Sequence, residues 1–257
     1  MPDVMNQLVD DLVAEQSHLD AAVVGLPDAS WELLTPAPGW LVRDCIAHLM
    51  EFDEAAVCVV RQGNCPPQGD PQPPLSAIQL AARDLEIVEL VERWRGARSE
   101  LASACQQLEP GPRLPWAPGT PMSARSFVSA RLMECWAHGL DVLEAAGIQA
   151  VDTDRLRHIA HLGYITRGFS YRNRDLDPND EPLFVELIAP SRATWTWGPV
   201  AARNRIVGTA GDFCRVVNQR IHYRDTGLEW TSAAAEEFLQ VALAFAGPPG
   251  EGRPQVG

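Results

Sequence analysis

Apolar positions recur at helical spacing through most of the first 147 residues, in four stretches long enough to be amphipathic helices. The first runs from about Val4 to Val24, with Leu8, Leu12, Leu19 and Val23 on one stripe. The second, about Trp40 to Arg61, gathers Cys45, Leu49, Phe52, Ala56 and Val59 and follows the tetrapeptide PAPG, whose proline and glycine punctuate its start. The third spans about Leu75 to Leu108, with its charges crowded on one side. The fourth spans about Ser123 to Ala146 and ends at Gly147, in the position of a helix C-cap. The connectors QGNCPPQGDPQPP and EPGPRLPWAPGTP carry five prolines each, and neither can continue a helix. Four such helices joined by such breakers predict a four-helix bundle.

Beyond Gly147 the pattern changes. A helix is expected from Thr153 to about Arg167, then PLFVELIAP and RATWTWGP as strands, rich in β-branched and aromatic residues. A short strand at Ile206-Val207, a helix over AGDFCRVVNQR and a last helix from Ala233 to Phe245 complete an α+β half. The tail GPPGEGRPQVG reads as a mobile end. The organisation expected is a helical domain over residues 1–150 and a small α+β domain over 151–257.

Composition narrows the function. A net charge of −13 with no basic stripe opposes nucleic-acid binding. No apolar run approaches the ~20 residues that span a bilayer, and the acidic, periodic N-terminus is unlike a signal peptide. All 21 basic residues are arginine, so lysine Schiff-base chemistry and a Walker-type phosphate loop are excluded. Cys45, Cys58, Cys65, Cys105, Cys135 and Cys214 show no CxxC spacing and read as reduced thiols of a cytoplasmic protein.

The fourth helix carries Glu134 and His138 one turn apart on one face, with Asp141 extending the stripe. The second carries His48 in the apolar run CIAHLMEF. Brought together, two imidazoles and a carboxylate suit Zn²⁺ or another divalent transition metal, and three protein ligands leave the open position of a catalytic site. Asp141, or Glu51 three residues after His48, is placed to orient an imidazole. The plainer alternative is a surface Glu–His pair and a hydrogen-bonded core histidine. His158 and His161 lie three apart with no third ligand near in sequence; His18 reads as a surface group, His222 as either substrate-facing or solvated, and Cys135 as core beside Glu134. Trp31, Trp40 and Trp116 fall in or beside loops where they either wall a pocket or pack as ordinary aromatics.

The segments TPAPGWLVRDCIAHL and SARLMECWAHGLDVLEAAG resemble the two signature segments of DinB-like metalloproteins. More narrowly they resemble the mycothiol-dependent maleylpyruvate isomerase branch of actinobacteria, in a less characterised metal-binding subgroup. The matching residues are Pro38, Gly39, Trp40, Val42, Arg43, Asp44, His48 and Leu49, then Arg131, Glu134, His138, Gly139 and Asp141. The resemblance implies metal ligands at His48, Glu134 and His138, and a DinB-like bundle followed by a sterol-carrier-like domain. ATWTWGP, GDFCRVVNQRIHYRDT and AFAGPPG carry the similarity of the second half.

The function it implies uses mycothiol, the low-molecular-weight thiol of actinobacteria, as cosubstrate. Held at the metal as thiolate, it attacks a small electrophile and either leaves again (an isomerase) or stays on the product (an S-transferase). Arginine forks suit substrate carboxylates. Arg131, one turn before Glu134, is the candidate of the first half. Arg220 and Arg224 are those of the second, where the family places an arginine near the metal. Asp141 or Glu51 would act as the general base if water took the open position, making the chain a hydrolase. A non-catalytic small-molecule carrier is the third alternative. The partners expected are a small thiol and a small electrophile, with the chain a monomer or homodimer.

Overall fold

The structure is a computed structural model that describes residues 4–63, 75–109, 113–117, 120–245 and 247–256. The chain divides into two compact units, Met1–Ala150 and Val151–Gly257.

In the first unit the long helices are α1 (Val4–Val24), α2 (Val42–Gln62), α4 (Ile87–Cys105) and α5 (Ala124–Ala145), with a short α3 (Ala77–Ala82) between α2 and α4. Helix α2 packs on α4 and α5, and α1 packs on α5 and α4. Part of the apolar core between them is Leu19, Trp31, Ile46, Leu49, Leu90, Trp94, Cys135 and Val142. Helix α5 is buried almost all round, Met133, Trp136 and Leu143 included. Gly147 follows it at φ 68°.

The single long helix expected over 75–108 is broken in two. The Leu85 carbonyl is taken by Arg43 Nη2 at 2.6 Å, and the Arg83 guanidinium leaves its own helix to grip Asp44 at 2.6 and 2.9 Å. Asp44 is fully buried and also accepts the Leu41 N–H at 2.7 Å, capping α2. Tertiary hydrogen bonds thus outweigh local helix propensity at this corner.

Most of the first proline-rich connector, with Cys65, lies outside the described residues. The second was expected to be a plain connector. It holds instead an antiparallel ribbon of β1 (Arg113–Ala117) and β2 (Thr120–Ser123). A two-stranded ribbon has two edges, so Pro115 and Pro121 need not donate to the ladder.

The second unit contains α6 (Leu156–Ile165), α7 (Arg167–Arg172), β3 (Leu183–Ile188), β4 (Thr194–Trp197), β5 (Asn204–Thr209), α8 (Ala210–Val217), β6 (Glu229–Trp230) and α9 (Ala233–Val241). The sheet order is β4-β3-β5-β6, with β3 and β5 parallel and the other pairs antiparallel. Helices α8 and α9 pack on its strands, and α6 packs on α8. The tail expected to be mobile is tied down: Asn173 donates to the Gly247 carbonyl at 2.7 Å, Arg174 to that of Gly250 at 3.2 Å, and the Val256 N–H to Asp225 at 2.8 Å.

Candidate metal centre

The PAPG segment forms a turn closed by the Trp40 N–H on the Ala37 carbonyl at 3.0 Å, with Gly39 at φ 80°, a conformation that favours glycine. Thr35 fastens its far side, its N–H and Oγ1 both donating to the Trp40 carbonyl at 2.8 and 3.0 Å. The turn presents the Trp40 indole, which stacks on the His138 ring at 5.3 Å between centroids and 13° between planes. Trp40 also lies 4.9 Å from the His48 ring, and Phe52, one turn along α2, lies 4.4 Å from it.

Inside this aromatic wall α2 and α5 bring His48, Glu134 and His138 together, with one ligand atom from each lying within 4.8 Å of the others. Glu134 Oε2 stands 3.6 Å from His48 Nε2 and 3.5 Å from His138 Nε2. These are long for hydrogen bonds. They match the donor separation of about 3.4 Å that follows from ~2.1 Å bonds to a tetrahedral ion. Behind His138, the Asp141 carboxylate lies 3.4 Å from Nδ1 and is 1% exposed, the position of a group that orients a ligating imidazole. Glu51, the other residue offered for that role, accepts instead from Ser76 Oγ at 2.6 Å and so joins α2 to the start of α3.

The electrostatics suit ligation. Burial first, then the charges of His138 and Arg131, push the His48 imidazole down to about 4 against the pull of Glu134, leaving it neutral with a lone pair to give. Burial raises the Glu134 carboxyl, but His138, His48 and Arg131 outweigh it and hold the group well below the usual range, as a carboxylate. A neutral imidazole and an ionised carboxylate are the forms a divalent ion takes.

Arg131 is 3% exposed beside this cluster, its guanidinium 4.2 Å from the Trp116 ring centroid and 5.7 Å from that of Phe52. The β1–β2 ribbon, which supplies Trp116, carries no periodic signal in the sequence. Asp53 and Gln16 also escape a reading of motifs, since each is a lone polar residue on an otherwise ordinary helix. The Asp53 carboxyl, 4% exposed, accepts from Gln16 Nε2 at 3.1 Å.

Arg220 and Arg224 belong to the second unit, where Arg220 Nη1 donates to the Asn218 carbonyl at 2.9 Å and Arg224 pairs with Glu236 at 2.9 Å. His222 caps the turn before Arg224, and His161 accepts from Trp197 Nε1 at 3.2 Å. His18 is exposed, while Trp31 and Cys135 are core. Among the described residues the His48–Glu134–His138 cluster alone meets the geometry of a metal site. Among the described residues, Cys45, Cys58, Cys105, Cys135 and Cys214 form no disulfide. No described helix is long and apolar enough to cross a membrane.

Residues 12–143 match the family model described as the mycothiol maleylpyruvate isomerase N-terminal domain. Two uncharacterised proteins, from two strains of Mycobacterium tuberculosis, are each 42% identical over 251 residues, covering 95% of this chain and 97% of their own. Crystal structures of a mycothiol-dependent maleylpyruvate isomerase and of a histidine-to-alanine mutant of it share the fold, with TM-scores of 0.62 and 0.59 at 17% identity, over 90% of this chain and 93% of theirs. The chain therefore belongs to the mycothiol maleylpyruvate isomerase N-terminal domain family.

Proposed function

We propose that this chain is a thiol-dependent enzyme, an isomerase or S-transferase of small electrophiles, that works through a divalent metal at His48, Glu134 and His138 with mycothiol as the thiol. The four long helices are then the bundle that carries the metal, and the second unit the partner domain of the sterol-carrier-like kind. The observation that supports the reading best is the spacing of the three donors, set for an ion rather than for one another, with Asp141 behind His138.

A divalent ion such as Zn²⁺ bound there would supply a nucleophile at neutral pH by favouring the deprotonated form of a coordinated thiol. The protein's own groups do the rest. His48 and His138 offer neutral nitrogens, and Glu134 offers one negative charge. Asp141 fixes the His138 tautomer by facing Nδ1, so that Nε2 points at Glu134. Trp40 and Phe52 cover the imidazole faces and keep water off them. In the isomerase form the thiol adds to a cis double bond, the resulting single bond rotates, and the thiol leaves. In the transferase form it stays. Arg220 and Arg224 enter as the substrate-facing arginines of the second unit, and the setting is cytoplasmic.

Metal content by mass spectrometry on the untagged protein and on His138→Ala, each then titrated calorimetrically with mycothiol, tests the reading. About one metal per chain, lost in the variant, with thiol bound only by the metal-loaded protein, supports it. Metal without thiol affinity moves the reading to hydrolysis, and no metal in the wild type removes it.

A further inference from the structure

The three candidate ligands give the PAPGW segment before α2 no task of its own. The segment ends on Trp40, whose backbone is firmly fixed. Thr35 clasps the Trp40 carbonyl with its N–H and its Oγ1, and the same Oγ1 accepts the Ala37 N–H at 3.3 Å. Gly39 at φ 80° permits the turn. Helix α2 begins two residues later, so the indole is joined closely to the helix that carries His48. Its ring nevertheless reaches across to α5. It stacks on His138 with 13° between planes and stands 4.9 Å from His48, and the two imidazoles lie 4.6 Å apart. One half-buried side chain thus meets both histidines, each on its own helix.

We propose that Trp40 is a positioning residue of the metal centre, a splint between α2 and α5 that fixes the tilt of both imidazoles before any ion arrives. This role rests on the metal reading above. It follows from the freedom left to each ring. Asp141 meets His138 at its edge, 3.4 Å from Nδ1. An edge contact selects the nitrogen that faces Glu134 but leaves the ring to swing about the Nδ1···O line. A face contact removes that swing, and a stack with centroids 5.3 Å apart at 13° is the offset arrangement that aromatic rings prefer. His48 is met by two rings, Trp40 inclined at 57° and Phe52 at 44°. Glu134 Oε2 lies 3.6 and 3.5 Å from the two Nε2 atoms, so the separation of the donors is set by the protein itself. Ligands already in place lose little freedom when an ion binds. Groups that orient metal ligands from behind are worth about ten- to a hundredfold in affinity.

Two measurements on the full-length protein test this role. In metal-free wild type, nuclear Overhauser contacts should join the Trp40 indole protons to the His138 ring protons, and the His138 ring signals should lie upfield of their position in Trp40→Leu. In competition for Zn²⁺ with a chromophoric chelator, Trp40→Leu should bind about tenfold or more weakly than wild type. Trp40→Phe, which keeps an aromatic face for the stack, should stay within about threefold. Trp94→Phe, a change in the apolar core of the same unit, should lower the melting temperature and leave the Zn²⁺ affinity alone. An equal loss of affinity in Trp94→Phe overturns the proposal, since general loosening of the core would then suffice. So does a wild type without the indole–imidazole contacts, a result that needs no variant to fold. A wild type that holds no divalent metal removes the metal reading and this role together, whereas metal held equally by wild type and Trp40→Leu removes this role alone.

Discussion

Asp53→Asn should stabilise this protein above neutral pH. The Asp53 carboxyl is 4% exposed and faces Arg131, Arg98, Glu134 and Cys105, with one hydrogen bond from Gln16. Burial is the largest influence, and with Glu134 it outweighs the two arginines and Gln16, lifting the group to about 7. An unfolded Asp titrates near ~3.9. Below that value the group is protonated in both states and contributes nothing to the pH dependence of stability. As pH rises from about 4 to 7, the unfolded chain gives up a proton that the folded chain retains. Stability falls across that window and stays lower above it. Three units at ~1.36 kcal/mol each set the loss at about 4 kcal/mol as an order of magnitude.

Asparagine keeps an oxygen for the Gln16 amide and cannot ionise, so the variant escapes the loss. The assay is thermal or urea unfolding of wild type and variant from pH 4.5 to 8.5, taken as their difference so that all other titrating groups cancel. The variant should gain steadily on the wild type up to about pH 7, and the gain should then level off. A variant less stable than wild type at pH 8, with a flat difference, would refute the reasoning. It would mean that Asp53 is ionised in the folded protein and pairs with Arg131.

Asp141→Asn should weaken metal binding by about ten- to a hundredfold, read by competition with a chromophoric chelator, because the variant loses the charge that faces His138 Nδ1. Arg83→Ala should lower stability by about 2 kcal/mol in urea unfolding, since it strips two hydrogen bonds from the fully buried Asp44 and leaves that carboxylate with the Leu41 N–H. In the second unit, Gly163→Ala would set a methyl 2.9 Å from Val217 Cγ2 and 3.1 Å from Phe213 Cε1, where α6 meets α8, and should cost about 1–3 kcal/mol in the same assay. Arg220→Gln and Arg224→Gln should raise KM more than they lower kcat if those side chains meet the substrate, and steady-state kinetics separates the two effects.

The parts of this chain that the sequence shows best are those in which one periodicity governs. Helices α1, α2 and α5 begin and end within two residues of the positions their apolar stripes predict, and helical spacing sets Glu134 and His138 one turn apart on one face of α5. What escapes is decided by single long-range contacts. The break between α3 and α4 depends on Arg43 reaching Leu85 across 42 residues and on Arg83 reaching Asp44 across 39. No window of local sequence holds both partners. The β1–β2 ribbon is hidden by its prolines, which read as breakers until the strands are seen to have free edges. The same limit falls on the site. The three candidate ligands announce themselves because ligation needs particular side chains at particular spacing, whereas Gln16, Asp53 and Trp116 are each unremarkable in their own segment. Their significance is electrostatic and exists only once α1, α2, α5 and the ribbon enclose a common interior, where a carboxyl and a guanidinium that would be ordinary in water lose their solvent. Residues chosen for coordination chemistry can therefore be read from spacing, while those that set the charge of the space around them have to be read from burial.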